Sequence, residues 1–255
     1  TVFDDLPSLG RMGLKRESLR TSLAIDYTFP SSGWVLSSNT GYDDESVARN
    51  VDFDATIAPD YYGATGSTLE DFFQELRLAS SSEGRLTWLL GLSYYEQHTR
   101  IPGSVTWQQT LNAVFSEAGL DNKVKTPAVF GSLGYRFTDK VNISLEGRYQ
   151  KDKIKKRSSN SGIAMEATFT NFAPRVILQY HPVESTNLYI TYAKGNKPGD
   201  FNSSVLALND AERQQVVSQT GGGNTVPEEK LTNHELGWKQ FWLDNRLSTN
   251  FAAYY

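Results

Sequence analysis

The chain has 255 residues, with 25 Lys and Arg against 29 Asp and Glu, and no cysteine. That balance supplies no global field to attract nucleic acid, and the lack of cysteine excludes disulfide frameworks and Cys-ligated metal sites. No apolar run approaches the roughly 18 residues of a transmembrane helix, but a mean hydropathy of -0.46 does not make the chain soluble, because membrane strands turn only alternate residues to lipid.

In chain order, the first element is LRTSLAIDYTF, Leu19 to Phe29. Its odd positions carry Leu, Thr, Leu, Ile, Tyr and Phe, while Arg20 and Asp26 fall on the even ones. This alternation predicts a strand with one apolar and one polar face. Strands follow near 34–44 and 70–80, and RLTWLLGLSYY then gathers Leu86, Trp88, Leu90, Leu92 and Tyr94 against Thr87, Gly91 and Ser93. After a strand near 127–137, VNISLEGRYQKD sets Val141, Ile143, Leu145 and Tyr149 against Asn142, Ser144, Glu146, Arg148 and Gln150. Further strands are predicted near 172–180, 187–195, 231–241 and 246–255, and LNDAERQQVVSQ (Leu208 to Gln219) as a short helix within a loop.

The connections alternate in length. PSSG, SSEG, TDK, HPVEST and LDNR are short turns built from Gly, Pro, Asp and Ser. The others are long, about 45–67, 100–125, 153–170 and 196–230. Short turns at one rim and long loops at the other make the pattern of an outer-membrane barrel. Aromatic residues agree with it. Tyr27, Phe29, Trp34, Phe137, Tyr180 and Trp242 sit beside the short turns, and Tyr94, Tyr149 and Tyr192 toward the long loops, as two girdles would. NLYITYAKGNKPGDFN, Asn187 to Asn202, reads as a stave that climbs outward and opens into the longest loop.

Four segments in order resemble hairpins of the TonB-dependent outer-membrane receptors. They are FFQELRLASSSEGRLTWLLGLSYY, FTDKVNISLEGRYQKDK, FAPRVILQYHPVESTNLYITYAKGNKPGDFN and VPEEKLTNHELGWKQFWLDNRLSTNFAAYY. Asp200 departs from the pattern where a second glycine is usual, and His234 where an aromatic is common. The resemblance implies an all-β, antiparallel up-and-down transmembrane barrel, of which residues 1–255 are about ten strands from the middle of a 22-stranded whole. It also implies residence in the bacterial outer membrane, and active uptake of a scarce large nutrient, most often a ferric siderophore. TonB would power that uptake through a short segment ahead of an N-terminal plug domain that fills the barrel; neither is expected within these residues.

Candidate functional residues fall into three groups. The loop aromatics Tyr61, Tyr62, Trp107, Phe115 and Phe201 suit a ligand platform, or packing of their own loops. In KDKIKKR, the side chains of Lys153, Lys155, Lys156 and Arg157 suit lipopolysaccharide phosphates or an anionic ligand. Glu75, Arg77, Glu146, Arg148, Arg175, Glu235 and Lys239, like Arg20 and Asp26, are expected to face the lumen and, by the resemblance, a plug. His98, His181 and His234 lack metal-ligand spacing, TGGGNT lacks the lysine of a phosphate-binding loop, and no Ser-His-Asp arrangement supports an enzyme or a bound cofactor. Two rival readings are a passive outer-membrane channel, which needs no energy partner, and a soluble β-sandwich that binds carbohydrate.

Overall fold

The computed structural model describes residues 13–53, 55, 61–108, 110–158, 162–202, 205, 208–220 and 225–255. Its body is a ten-stranded antiparallel sheet in strict sequence order. The strands are β1 (Gly13–Thr28), β2 (Val35–Asp52), β3 (Tyr61–Ala79), β4 (Leu86–Gln108), β5 (Ala113–Thr138), β6 (Val141–Ser158), β7 (Ala164–Tyr180) and β8 (Thr186–Lys197), followed by β11 (Glu229–Trp242) and β12 (Leu247–Tyr254). Between β8 and β11 the described residues include a two-residue pair, β9 (Asp200–Phe201) with β10 (Thr225–Val226), and the helix α1 (Asp210–Thr220).

The helix begins where the sequence places it, on a reciprocal cap. The Glu212 amide donates to Asn209 Oδ1 at 3.0 Å, and the Asn209 amide donates to Glu212 Oε2 at 3.1 Å, so two otherwise orphaned donors are satisfied. At 11 residues α1 is too short to cross a bilayer.

Alternation gives the sheet two chemically distinct faces. On one, cross-strand partners run Trp88, Leu133, Leu145, Val176, and a parallel row runs Leu76, Leu92, Val129, Tyr149, Phe172. Leu90, Leu92, Leu133, Leu145, Tyr149 and Phe172 on this face are all exposed. Ten strands at a spacing of about 4.8 Å make an apolar face roughly 45 Å wide, far beyond the patches that soluble monomers leave in water. The opposite face carries Arg, Glu, Asp, Gln and Tyr, paired with one another.

The connections differ from the sequence reading in one respect. The short turns stand, with β5 and β6 joined by only residues 139–140. Three of the four long connections, however, are mostly paired strand. β4 and β5 run for 23 and 26 residues, well past the 9–11 that cross a bilayer, and only residues 109–112 separate them. Where both faces of a strand meet water the period-two apolar signal vanishes while the backbone ladder continues. The exception is the β8–β11 connection, which remains long. The β7–β8 ladder covers only Arg175–Tyr180, stopping beside Pro174, which has no amide hydrogen to give.

Candidate functional site

The polar face is laced with ion pairs and hydrogen bonds, most of them between neighbouring strands. On β1 and β2, Arg20 Nε donates to Asp43 Oδ2 at 2.9 Å, and Arg16 pairs with Glu45. On β3, Arg77 Nε lies 3.0 Å from Glu75 Oε1. Arg175 of β7 donates through Nε and Nη2 to one oxygen, Oε2, of Glu146 on β6, a charge-assisted contact. On β8 and β11, Tyr189 donates to Glu235 Oε1 at 2.6 Å, while Lys239 Nζ sits 5.4 Å from the centre of the Tyr189 ring. The structure therefore brings together Glu146 with Arg175, Glu75 with Arg77, and Glu235 and Lys239 around one tyrosine.

Arg148 anchors the most extended network. Its Nη2 donates to Ser93 Oγ at 3.1 Å and its Nε to Gln150 Oε1 at 2.9 Å. Gln150 then donates to the buried carboxylate of Asp152 at 3.0 Å, and Thr126 donates to the other oxygen at 2.7 Å. The guanidinium also lies 5.6 Å from the centre of the Phe130 ring. That ring occupies space only a glycine leaves, since a Cβ on Gly91 would fall 2.3 Å from it. Glu146, Arg148 and Arg175 line a recess of about 420 Å³. Ser93, Thr126 and Asp152 in this chain are small or isolated polar residues, and only the register reveals that they converge.

At the upper end of the same face, the β8–β11 connection folds back onto the wall. Phe201 is buried against Ile154, among Val124, Ile163, Met165, Ala167 and Phe169. Lys156, whose side chain is 9% exposed, donates to Asp200 Oδ2 at 2.7 Å. Of the two roles open to Phe201, the structure shows packing, since the ring is buried against the wall. One expectation changes here. Lys156 points to the polar face, because strand alternation splits KDKIKKR: Asp152, Ile154, Lys156 and Ser158 are buried on one side, while Lys151, Lys153, Lys155 and Arg157 are exposed on the other. Asp200, the departure from the familiar glycine, is the partner that makes the inward lysine tolerable.

The remaining loop aromatics lie at the same rim on other strands. The Tyr61 ring lies 5.1 Å from that of Phe53, and both line a recess of about 360 Å³ with Arg49, Thr65 and Thr106. Trp107 and Phe115 are exposed on β4 and β5, and the side chain of Tyr62 lies outside the described residues. The histidines are apart: His98 is 3.0 Å from Asp121, His234 stacks 5.1 Å from Tyr192, and His181 is in the turn after β7. Among the described residues no group of three His, Cys, Asp or Glu could hold a metal ion.

A family model for the TonB dependent receptor-like β-barrel matches residues 2–255. Solved structures agree on the fold. The ferric yersiniabactin uptake receptor FyuA from Yersinia pestis superposes with a TM-score of 0.73 at 16% identity, over 94% of this chain and 35% of that one. The siderophore receptor PiuA from Acinetobacter baumannii gives 0.71 at 14% identity, over 94% and 40%. The copper transporter OprC gives 0.67 at 13% identity, over 94% and 38%. The chain thus spans little more than a third of the length of these structures.

Proposed function

Since the chain belongs to the TonB-dependent receptor-like β-barrel family of the bacterial outer membrane, we propose that it is wall and outer rim of a transporter for TonB-driven uptake of a ferric siderophore. The apolar face is then the lipid-facing surface and the polar face the lumen, in a wall whose backbone bonds run from strand to strand as lipid requires. The observation that carries the reading is the lumen wall itself. Arg20 with Asp43 and Arg175 with Glu146 pair across strands, Arg77 lies beside Glu75 on its own strand, and Glu235 accepts from Tyr189, a mixture of charges that suits a wall that holds a plug rather than an open, single-signed channel. Ferric siderophores are the favoured cargo because relatives described as yersiniabactin and siderophore receptors share the fold. The Phe53–Tyr61 recess, with Arg49 beside it, offers rings and a positive charge at the rim, the chemistry for an aromatic, anionic chelate.

The test is uptake of iron-loaded siderophores by cells carrying the full-length parent protein, with and without TonB. The reading expects accumulation that disappears without TonB. Flux that persists without TonB identifies a passive channel, and a parent protein that stays in solution without detergent identifies a soluble binding module.

A further inference from the structure

We propose that the outward face of β5 and β6, above the aromatic row, binds the phosphate groups of the outer leaflet's glycolipid, with Lys123, Lys125, Lys153 and Lys155 at its centre. The proposal rests on the reading that this face looks out to the bilayer.

The register sets like charges directly against each other. Lys125 is opposite Lys153, and Lys123 is opposite Lys155. Residues so placed have their Cβ atoms about 4.5–5.5 Å apart, and like charges in that position destabilise a sheet. One carboxylate compensates in part: Glu96 on β4 lies 3.1 Å from Lys125 and 3.6 Å from Lys123. Lys153 and Lys155 make no ion pair among the described residues, although Glu166 is opposite Lys155 in the β7 register. Lys151 and Arg157 continue the exposed row on β6. Six cations on two strands thus meet three carboxylates, Glu96, Asp121 and Glu166. A sheet that gathers charge in this way is stabilised by an anion from outside.

Position names the anion. Tyr149 ends the apolar row on β6, and Lys151, Lys153, Lys155 and Arg157 follow on the same face, each about 7 Å further along the strand. Acyl chains end at the aromatic girdle, so a lipid lying against Leu92, Val129 and Phe172 would present its headgroup to the lysines. The occupant must therefore carry both acyl chains and closely spaced phosphates. A free anion has no use for the apolar face below. The sequence displays half of this site, the run on β6; the other half, the Lys-x-Lys of β5, becomes visible only when the register sets it opposite.

The experiment titrates the full-length receptor in neutral detergent with three probes: diphosphoryl lipid A, the same lipid with both phosphates removed, and inorganic pyrophosphate. Wild-type protein should prefer diphosphoryl lipid A. Each lysine near such a headgroup contributes about a fivefold factor, so K123Q/K125Q/K153Q/K155Q should lose roughly several hundredfold, and the loss should shrink in high salt. Replacing the four lysines by arginine should keep the affinity, and Glu96→Gln should raise it by freeing Lys123 and Lys125. These two variants carry the test if the glutamine variant does not fold. Equal affinity of wild-type and glutamine variant overturns the site, as does an unchanged affinity in E96Q. Equal binding of the dephosphorylated lipid overturns the phosphate assignment, and pyrophosphate binding as tight as lipid A overturns the lipid. Failure of the bilayer reading has its own signature, a cysteine at Leu145 as open to a water-soluble maleimide as one at Glu146.

Discussion

Lys156 and Asp200 are 44 residues apart in the chain, and their side chains meet at 2.7 Å on the polar face of the sheet. Beside them the β9–β10 pair and Phe201 close over Ile154. One ion pair and one ring together fasten the longest connection to that face.

Removing one partner should hurt more than removing both. Asp200→Asn leaves a largely buried ammonium without its carboxylate, which costs about 1–3 kcal/mol given that Asp200 is half exposed. Lys156→Met with Asp200→Asn should recover much of this. Amide exchange at Asp200 and Phe201 in the full-length receptor measures the loop directly. A single variant as well protected as the double one would show that the pair holds nothing.

Phe201 and Tyr61 should separate in their effects. Phe201→Ala removes a buried ring, a change that costs about 3–5 kcal/mol in well-packed cores, and should free the loop. Tyr61→Ala removes a ring that lines the rim recess and should weaken siderophore capture several-fold with the loop intact. Binding and loop exchange, measured on both variants, decide the matter; the opposite pattern would exchange their roles.

The two faces of β6 carry a sharper expectation. Leu145, with Leu133 and Val176 opposite, is on the apolar face, and Glu146 pairs with Arg175 on the polar one. Leu145→Arg should cost about 2–4 kcal/mol if its height is near the bilayer midplane, and Glu146→Gln much less, because an exposed pair contributes about 0–1 kcal/mol. Folding titrations into lipid vesicles would read both. Similar costs would mean that the faces are misassigned.

Gly237 lies beneath Tyr189 as Gly91 lies beneath Phe130. A Cβ added there would be 2.1 Å from the tyrosine ring, so Gly237→Ala must displace the ring and with it the hydrogen bond to Glu235. Overpacking of this kind costs about 1–3 kcal/mol. Heat-modified migration on gels should show a lower melting point, and an unchanged one would mean that the ring moves freely.

The sequence was most legible where lipid and water divide the two faces of a strand. VNISLEGRYQKD alternates because Leu145 and Glu146 answer to different solvents, and its faces can be assigned by eye. It was least legible above the membrane, where 100–125 looks like a loop although it is mostly paired strand, since nothing there rewards alternation. KDKIKKR shows both limits at once. Its charge density is plain, yet Lys156 turns inward because Asp200 waits there, and no local signal links residues 44 positions apart. Phe201 was hidden for the same reason, as its pocket is assembled from β5, β6 and β7.

The tight turns at one rim carry a consequence for how such a protein can change over generations. Two residues between β5 and β6, and five between β7 and β8, set the registers from below. Segments at the opposite rim can then lengthen, shorten or take on foreign sequence without any stave slipping against its neighbour. The same freedom makes the crest between β4 and β5, four residues long, a natural place to graft a peptide for display.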